Sequence, residues 1–300
     1  MTPSRLLPVL EAARVDHFLH SALPHLSSRG VRAIVADGRV RLNGRRVRKG
    51  DHVRPGDIVQ IDAECCDVRS LRGQADLDIP ILDETTEWVG LDKPAGMPSI
   101  AQRVLDVDTV SNFLAGRFPE TVSIGAPSVE CGVVHRLDTA TSGVLLAART
   151  TRAYQALRAQ FTAHTVTKTY RVWVEGRVGE SGRVTEHIRT VPGDTTRVEV
   201  ARRDARGARP AETSFRPIAS FADFSSLEVE IRSGVRHQVR LHLASLGHPV
   251  VGDDVYGRGG HGRLYLHAHT VAFADPSTDR PTTVSAPVPA EFSGAELGLG

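Results

Sequence analysis

The nine residues His135-Arg136-Leu137-Asp138-Thr139-Ala140-Thr141-Ser142-Gly143 put an imidazole, a guanidinium, a carboxylate and three hydroxyls into one short stretch. It lies between two apolar runs, Val133-Val134 and residues 144–148, that read as strands. A lone aspartate between strands is ordinarily a turn or capping residue. Charged groups carried to the edge of a core, however, need partners or a task. A guanidinium beside a carboxylate favours the ionised form. Such a carboxylate can serve as a nucleophile or as a base. Asp138 is the first candidate for chemistry.

Thirteen histidines raise a second possibility. His237 and His242 fall on one predicted helix, and His267 and His269 alternate along a predicted strand. No HExxH pattern or paired-cysteine motif accompanies them, so structural or phosphate-facing roles are expected and no metal is required. Lys93-Pro94-Ala95-Gly96-Met97-Pro98 reads as a turn with too few glycines to cradle a phosphate. Cys65, Cys66 and Cys131 are odd in number and lack CxxC spacing, which argues against a disulfide framework.

The sequence HRLD at 135–138, followed by Thr141-Ser142-Gly143, resembles the first signature of the RluA-type pseudouridine synthases. Four more matches follow the order of that family. They are Leu91-Asp92-Lys93-Pro94-Ala95-Gly96, Lys168-Thr169-Tyr170, the helix His237-Gln238-Val239-Arg240-Leu241-His242 with Gly247-His248-Pro249 and Gly252-Asp253-Asp254-Val255-Tyr256-Gly257, and Arg263-Leu264-Tyr265-Leu266-His267-Ala268. The resemblance implies that Asp138 is the catalytic aspartate, that Tyr170 packs against the target uracil, and that Arg240 pairs with the aspartate. Arg136, Arg236 and His237 are expected to face the RNA. The chain departs from the pattern at Gly234-Val235-Arg236, where many relatives have Gly-Arg-Thr, and at Val239, where the pattern has Ile or Leu. Arg236 stands four residues before Arg240, which on one continuous helix gives a shared face able to meet phosphate.

Uridine isomerisation needs the N-glycosidic bond cut, the uracil turned and a C5–C1′ bond made. The base must leave its stack and be held by an aromatic or apolar wall. Tyr170 shares a strand face with Val172 and Val174, which suits either that wall or a plain core tyrosine. Asp138 would act as a nucleophile or by taking a ribose proton; the residues leave both open. No redox, metal or nucleotide cofactor is needed. Two other classes compete with this reading: a non-catalytic RNA-binding factor, which would be expected to lose one of Asp138, Tyr170 or Arg240, and a metal-dependent hydrolase using the histidines.

The elements that must position these groups read as an α+β body with a mixed or antiparallel sheet. Strands are predicted at Trp88-Val89-Gly90-Leu91 and residues 167–174, 226–231 and 264–273, with helices at 110–118, 154–161 and 235–246. Strands outnumber helices and do not alternate with them regularly. Residues 179–210 are polar and rich in Gly and Arg, as in an exposed hairpin excursion. The predicted organisation is an S4-like domain at 1–66, a linker at 67–80 and a catalytic domain at 81–300.

The N-terminal part has its own signature. Residues 1–60 carry 11 Lys/Arg against 5 Asp/Glu, although the whole chain of 300 residues has a net charge of only +2. A helix around Val15, Phe18, Leu19 and Ala22 ends at Pro24. A second, capped by Ser27 or Ser28 and striped by Val31, Ile34 and Val35, ends at Gly38. Asn43-Gly44 marks a two-residue hairpin turn, Val47 resumes the strand, and Pro55-Gly56-Asp57 precedes a closing strand through Ile58, Val59 and Ile61. This order resembles the S4 RNA-binding domain across residues 14–61. Arg39, Arg45, Arg46, Arg48 and Lys49 around the hairpin are expected to grip phosphates, with Arg46 and Arg48 on one strand face and Arg45 on the other. The partner is therefore RNA, ribosomal first and transfer RNA second. No apolar run reaches the roughly 18 residues of a spanning helix. The run at 6–10 is broken by Pro8 and lacks a small-residue cleavage site. A cytoplasmic monomer is expected.

Overall fold

Apolar residues at helical spacing, then an Asn-Gly turn between alternating residues, build the first of two units. The computed structural model describes residues 4–23, 28–48, 50–62, 71–125, 129–194 and 196–293. Pro24, Ser27, Lys49, Cys65 and Cys66 lie outside these, as does part of the predicted linker. The chain divides into one unit of residues 1–72 with 102–106, and a second of residues 73–101 with 107–300.

The first unit contains β1 (Ser4–Pro8), β2 (Ala13–Arg14), α1 (Val15–Ala22), α2 (Ser28–Ala36), β3 (Val40–Leu42), β4 (Arg45–Arg46), β5 (His52–Val53) and β6 (Ile58–Asp62). Its sheet runs β1-β6-β3-β4, and β2 pairs separately with β5. Val15, Leu19, Val31, Ile34, Val40, Val59 and Ile61 close a private core. The Asn43-Gly44 turn has φ of 49° and 82°, as a type I′ turn demands. Asn43 also ties the two turns together: its Nδ2 donates to Asp57 at 2.8 Å, and its Oδ1 accepts from the Ile58 N–H at 2.8 Å. Strand β1 is not among the expected elements; Pro8 sits at its last position, where its missing donor costs little. Strand β4 is only two residues long, so the alternation expected through Arg48 does not continue.

The second unit is a ten-stranded sheet. Its strands are β7 (Ile81–Glu84), β8 (Trp88–Lys93), β9 (Ser142–Ala148), β10 (Thr167–Glu175), β11 (Gly182–Thr190), β12 (Val198–Ala201), β13 (Arg209–Ser220), β14 (Phe224–Ile231), β15 (Leu266–Ala274) and β16 (Pro281–Ser285). They run β12-β11-β13-β14-β10-β15-β9-β8-β7, with β16 on β15. Only β9 with β15 pairs in parallel among the described residues, so the sheet is mixed and mainly antiparallel. Helices α3 (Val110–Arg117), α4 (Thr151–Thr162) and α5 (Gln238–Ser245) complete the unit. Thr109 and Thr150 cap α3 and α4 through their side-chain oxygens. Every residue of β9 is buried, as its unbroken apolar run requires.

Three expectations need correction. Val133-Val134 forms only an isolated bridge, from Val133 to Ala147. Helix α5 starts at Gln238, three residues later than predicted, because His237 takes a left-handed conformation with φ 53°. Arg236 is thus outside the helix and cannot share a helix face with Arg240. The excursion at 179–210 does hold a hairpin, β11 with β12, but it extends the main sheet through β13 instead of standing apart from it.

Candidate active site

Three central strands, β10, β15 and β9, bring the signature residues together. Tyr170 pairs with Ala268, and Ala268 with Gly143, so one row crosses all three strands. Gly143 has φ 111°, and a Cβ there would come within 2.2 Å of the Ala268 carbonyl oxygen. Only glycine lets β9 close against β15 at this point.

The loop carrying Asp138 enters β9 and is held on both flanks. Ser99 Oγ donates to the Leu137 carbonyl at 2.9 Å and accepts the Leu137 N–H at 3.1 Å. On the other side, the Thr139 carbonyl accepts from the Gly96 N–H at 2.8 Å and from Lys93 Nζ at 3.1 Å. Lys93 is fully buried. Its remaining donors reach the carbonyls of Pro94 at 2.8 Å and Met97 at 2.7 Å. Burial pulls its pKa down to about 7, against the attraction of Asp138 and Asp92. The segment read as a plain turn is thus the cradle of the Asp138 loop.

Arg240, on α5, links the loop to the rest of the site. Its Nη1 donates to Asp138 Oδ2 at 3.2 Å. Its Nε and Nη2 form a bidentate pair with the two oxygens of Asp253, both at 2.7 Å. Asp253 is fully buried and also accepts the N–H groups of Val255 at 2.8 Å and Tyr256 at 3.0 Å. Burial alone would raise its pKa, but Arg240 and these N–H donors outweigh it and hold the carboxyl below its usual range. Arg240 is 7% exposed, so this doubled carboxylate partnership is what makes a buried guanidinium tolerable. Sequence reasoning places Asp253 within a motif but gives it no role; its signal is an aspartate in a Gly-Asp turn thirteen residues after Arg240.

Tyr170 is buried, and burial together with the negative charge of Asp138 pushes its hydroxyl pKa up. It stays neutral at physiological pH. His237 lies with Nε2 3.9 Å from Asp138 Oδ2 and Nδ1 3.0 Å from the Tyr256 hydroxyl. His135, in contrast, serves the fold: Nε2 accepts the Leu146 N–H at 3.0 Å, and the ring stacks on Phe161. Burial lowers its pKa to about 3. Asp138 keeps a side-chain exposure of 24%, enough for a substrate to reach it. Arg136 is two residues before it and exposed. Arg236 is half-buried and donates to the Arg197 carbonyl at 3.1 Å. Among the described residues, no three His, Cys, Asp or Glu side chains converge as metal ligands.

The basic residues of the first unit lie around its hairpin. Arg45 and Arg46 are exposed, Arg45 paired with Asp51 at 3.0 Å and Arg46 donating to the Ala36 carbonyl. Arg48 is exposed as well, and Arg39 half-buried. With Arg14 and Arg32, the first three rim a cleft of about 820 Å³ beside Val31 and Val35.

Known proteins resemble this chain along most of its length. The family described as RNA pseudouridylate synthase matches residues 87–245, and the S4 domain matches residues 13–59. An uncharacterized RNA pseudouridine synthase of Chloroflexus aurantiacus is 35% identical over 289 residues, 95% of this chain and 89% of that protein. The ribosomal large subunit pseudouridine synthase D of Xanthomonas campestris is 31% identical, covering 93% of this chain and 86% of its own. Synthase C of Vibrio vulnificus is also 31% identical, over 92% and 89%. The structure of human RNA pseudouridylate synthase domain containing 1 superposes with a TM-score of 0.57 at 22% identity, over 72% of this chain and 85% of that one. With its Asp138 loop, its central Tyr170 strand and its N-terminal S4 domain, the chain belongs to the RNA pseudouridylate synthase family, isomerases that act on RNA.

Proposed function

We propose that this synthase converts a specific uridine of large-subunit ribosomal RNA to pseudouridine, with Asp138 as the catalytic aspartate acting on a flipped-out nucleotide. The observation that carries this reading is the chain Asp138–Arg240–Asp253. A guanidinium fixed by one buried carboxylate presents its remaining edge to a second, partly exposed one. Asp138 is thereby oriented without being used up as a structural partner. A carboxylate so held can attack the ribose or remove a ribose proton. Tyr170 supplies the wall for the uracil, Arg136 and Arg236 meet neighbouring phosphates, and the S4 domain anchors the RNA through Arg39, Arg45, Arg46, Arg48 and Lys49. The choice of ribosomal RNA draws on the named relatives of Xanthomonas and Vibrio.

The test is carbodiimide labelling with deep sequencing of RNA from cells with and without the gene. Loss of pseudouridine at a large-subunit site is the expected result. An unchanged pseudouridine map in every RNA would count against the activity, and loss only in transfer RNA would reassign the target.

A further inference from the structure

His237 stands beside Asp138 without belonging to the ion-pair chain that holds it, and its backbone is unusual. A φ of 53° is one that a residue with a Cβ rarely adopts, and contacts around the ring hold it in place. They do so from one side. His237 Nδ1 is 3.0 Å from the Tyr256 hydroxyl, and the two rings meet edge to face at 77°.

That hydroxyl is already committed. Strand β12 lies at the end of the sheet, and the ladder there uses the Arg197 carbonyl. Tyr256 Oη accepts the Val198 N–H at 3.1 Å and donates to the Val198 carbonyl at 3.2 Å. A hydroxyl has one proton to give. Once it goes to Val198, Nδ1 of His237 must be the donor to Tyr256, which is the arrangement that satisfies all four polar groups. Nε2 then carries a lone pair. At 3.9 Å from Asp138 Oδ2 it makes no hydrogen bond to the carboxylate. The groups facing the ring are Asp138, Arg240, Arg236, Asp253 and Tyr256. Burial, with both arginines, outweighs the two carboxylates and lowers the imidazole pKa, so the ring is neutral at physiological pH.

Pseudouridine formation requires a base of this kind. After C5 bonds to C1′, C5 still carries its hydrogen. The C5–H bond must break, its electron pair must restore the C5–C6 double bond, and a proton must end on N1. No oxidant or reductant enters. We propose that Nε2 of His237 accepts the C5 proton, beside the Asp138 carboxylate that steadies the resulting imidazolium. The imidazolium then returns a proton to N1, directly or through solvent. Nε2 and Oδ2 are close enough for one nucleotide to touch both. The inference rests on the reading of Asp138 as the group that acts on the target nucleotide.

The experiment compares wild type, His237→Gln and His237→Asn in single-turnover reactions. The substrate is total RNA from gene-deleted cells fed ordinary uracil or 5-deuterouracil. The expected result is a rate loss of roughly 10²-fold or more in both variants. A several-fold slowing on deuterated RNA should accompany it, larger than any in wild type, with RNA affinity and circular dichroism unchanged. Imidazole in the buffer should partly restore His237→Ala. Equal rates on the two RNAs in His237→Gln would overturn the proposal, because a residue that only shapes the pocket does not make C5–H cleavage limiting. A wild-type protein that forms no pseudouridine, or an Asp138→Asn variant that still does, would instead overturn the underlying reading.

Discussion

At the scale of single residues, the site is a problem of keeping charge where water is scarce. Asp138 has one guanidinium for a partner, and Arg240 has two carboxylates. Asp138→Asn keeps the shape and loses the charge, so turnover should vanish while folding and RNA affinity persist. Rate and binding measurements on one preparation check this. Asp253→Ala should do the opposite kind of damage. It leaves a buried Arg240 half-paired, at a cost of about 3–5 kcal/mol, visible as a lower urea midpoint. The acid limb follows from the same pair. The Asp253 carboxyl lies below its unperturbed 3.8 in the folded state. Its contribution is present above that value and is lost as pH falls through the lowered folded pKa. Asp253→Asn should therefore flatten the loss of stability below about pH 4 relative to wild type.

At the scale of elements, one buried ammonium and one glycine decide where the Asp138 loop sits. Lys93, at the end of β8, ties the turn after it to Thr139. Lys93→Met preserves the volume and removes the donors, so the loop should loosen, with the single-turnover rate falling more than RNA affinity. The sign of its titration is also testable. The folded pKa is about 7 and the free value 10.5. Between these the unfolded chain binds more protons than the native one, so the Lys93 contribution raises stability with rising pH across that window. The wild-type urea midpoint minus that of Lys93→Met should increase from pH 7 towards pH 10; a flat difference would place the pKa elsewhere. Gly143→Ala would drive a methyl into the Ala268 carbonyl at a left-handed φ. A loss of about 3 kcal/mol or more is expected, read as a fall in melting temperature.

At the scale of the whole molecule, the chain forms two units with separate cores, and the proposed function assigns the holding of RNA to the first and its modification to the second. Changing Arg45, Arg46 and Arg48 together to Ala should weaken RNA binding while leaving the rate at saturating RNA intact. Every phosphate that an arginine no longer neutralises should flatten the salt dependence by roughly 0.7 on single-stranded RNA. Arg45 and Arg46 also hold Asp51 and the Ala36 carbonyl, so the expected change in slope is smaller than three such steps. Affinity titrations at several salt concentrations measure this. An unchanged slope would mean that the arginines serve only the hairpin.

How much of this was legible before folding depends on how local each cause is. The S4 domain could be read because its signals are short-range: helical spacing around Leu19 and Ile34, and an Asn-Gly turn whose two positive φ values are a property of those residues. The Asp138 loop is likewise visible as charged and polar groups between apolar runs, and the Tyr170 strand as the alternation of residues 167–174. Helix α5 starts later than its spacing predicts because His237 takes a left-handed backbone, which the helical pattern of Val235 and Arg236 does not reveal. A tertiary contact, the Tyr256 hydroxyl on His237, accompanies a backbone that propensity would reject. Lys93 looked like part of a turn, since nothing nearby in sequence tells that its ammonium will reach Thr139, 46 residues away. Asp253 was silent for a similar reason, lying beyond the end of α5. The sequence by its ordered motifs carries the family resemblance that implies the reaction class. The tertiary structure decided which carboxylate is spent on Arg240 and which stays open to substrate, because burial and pairing are set by strands and helices far apart in the chain.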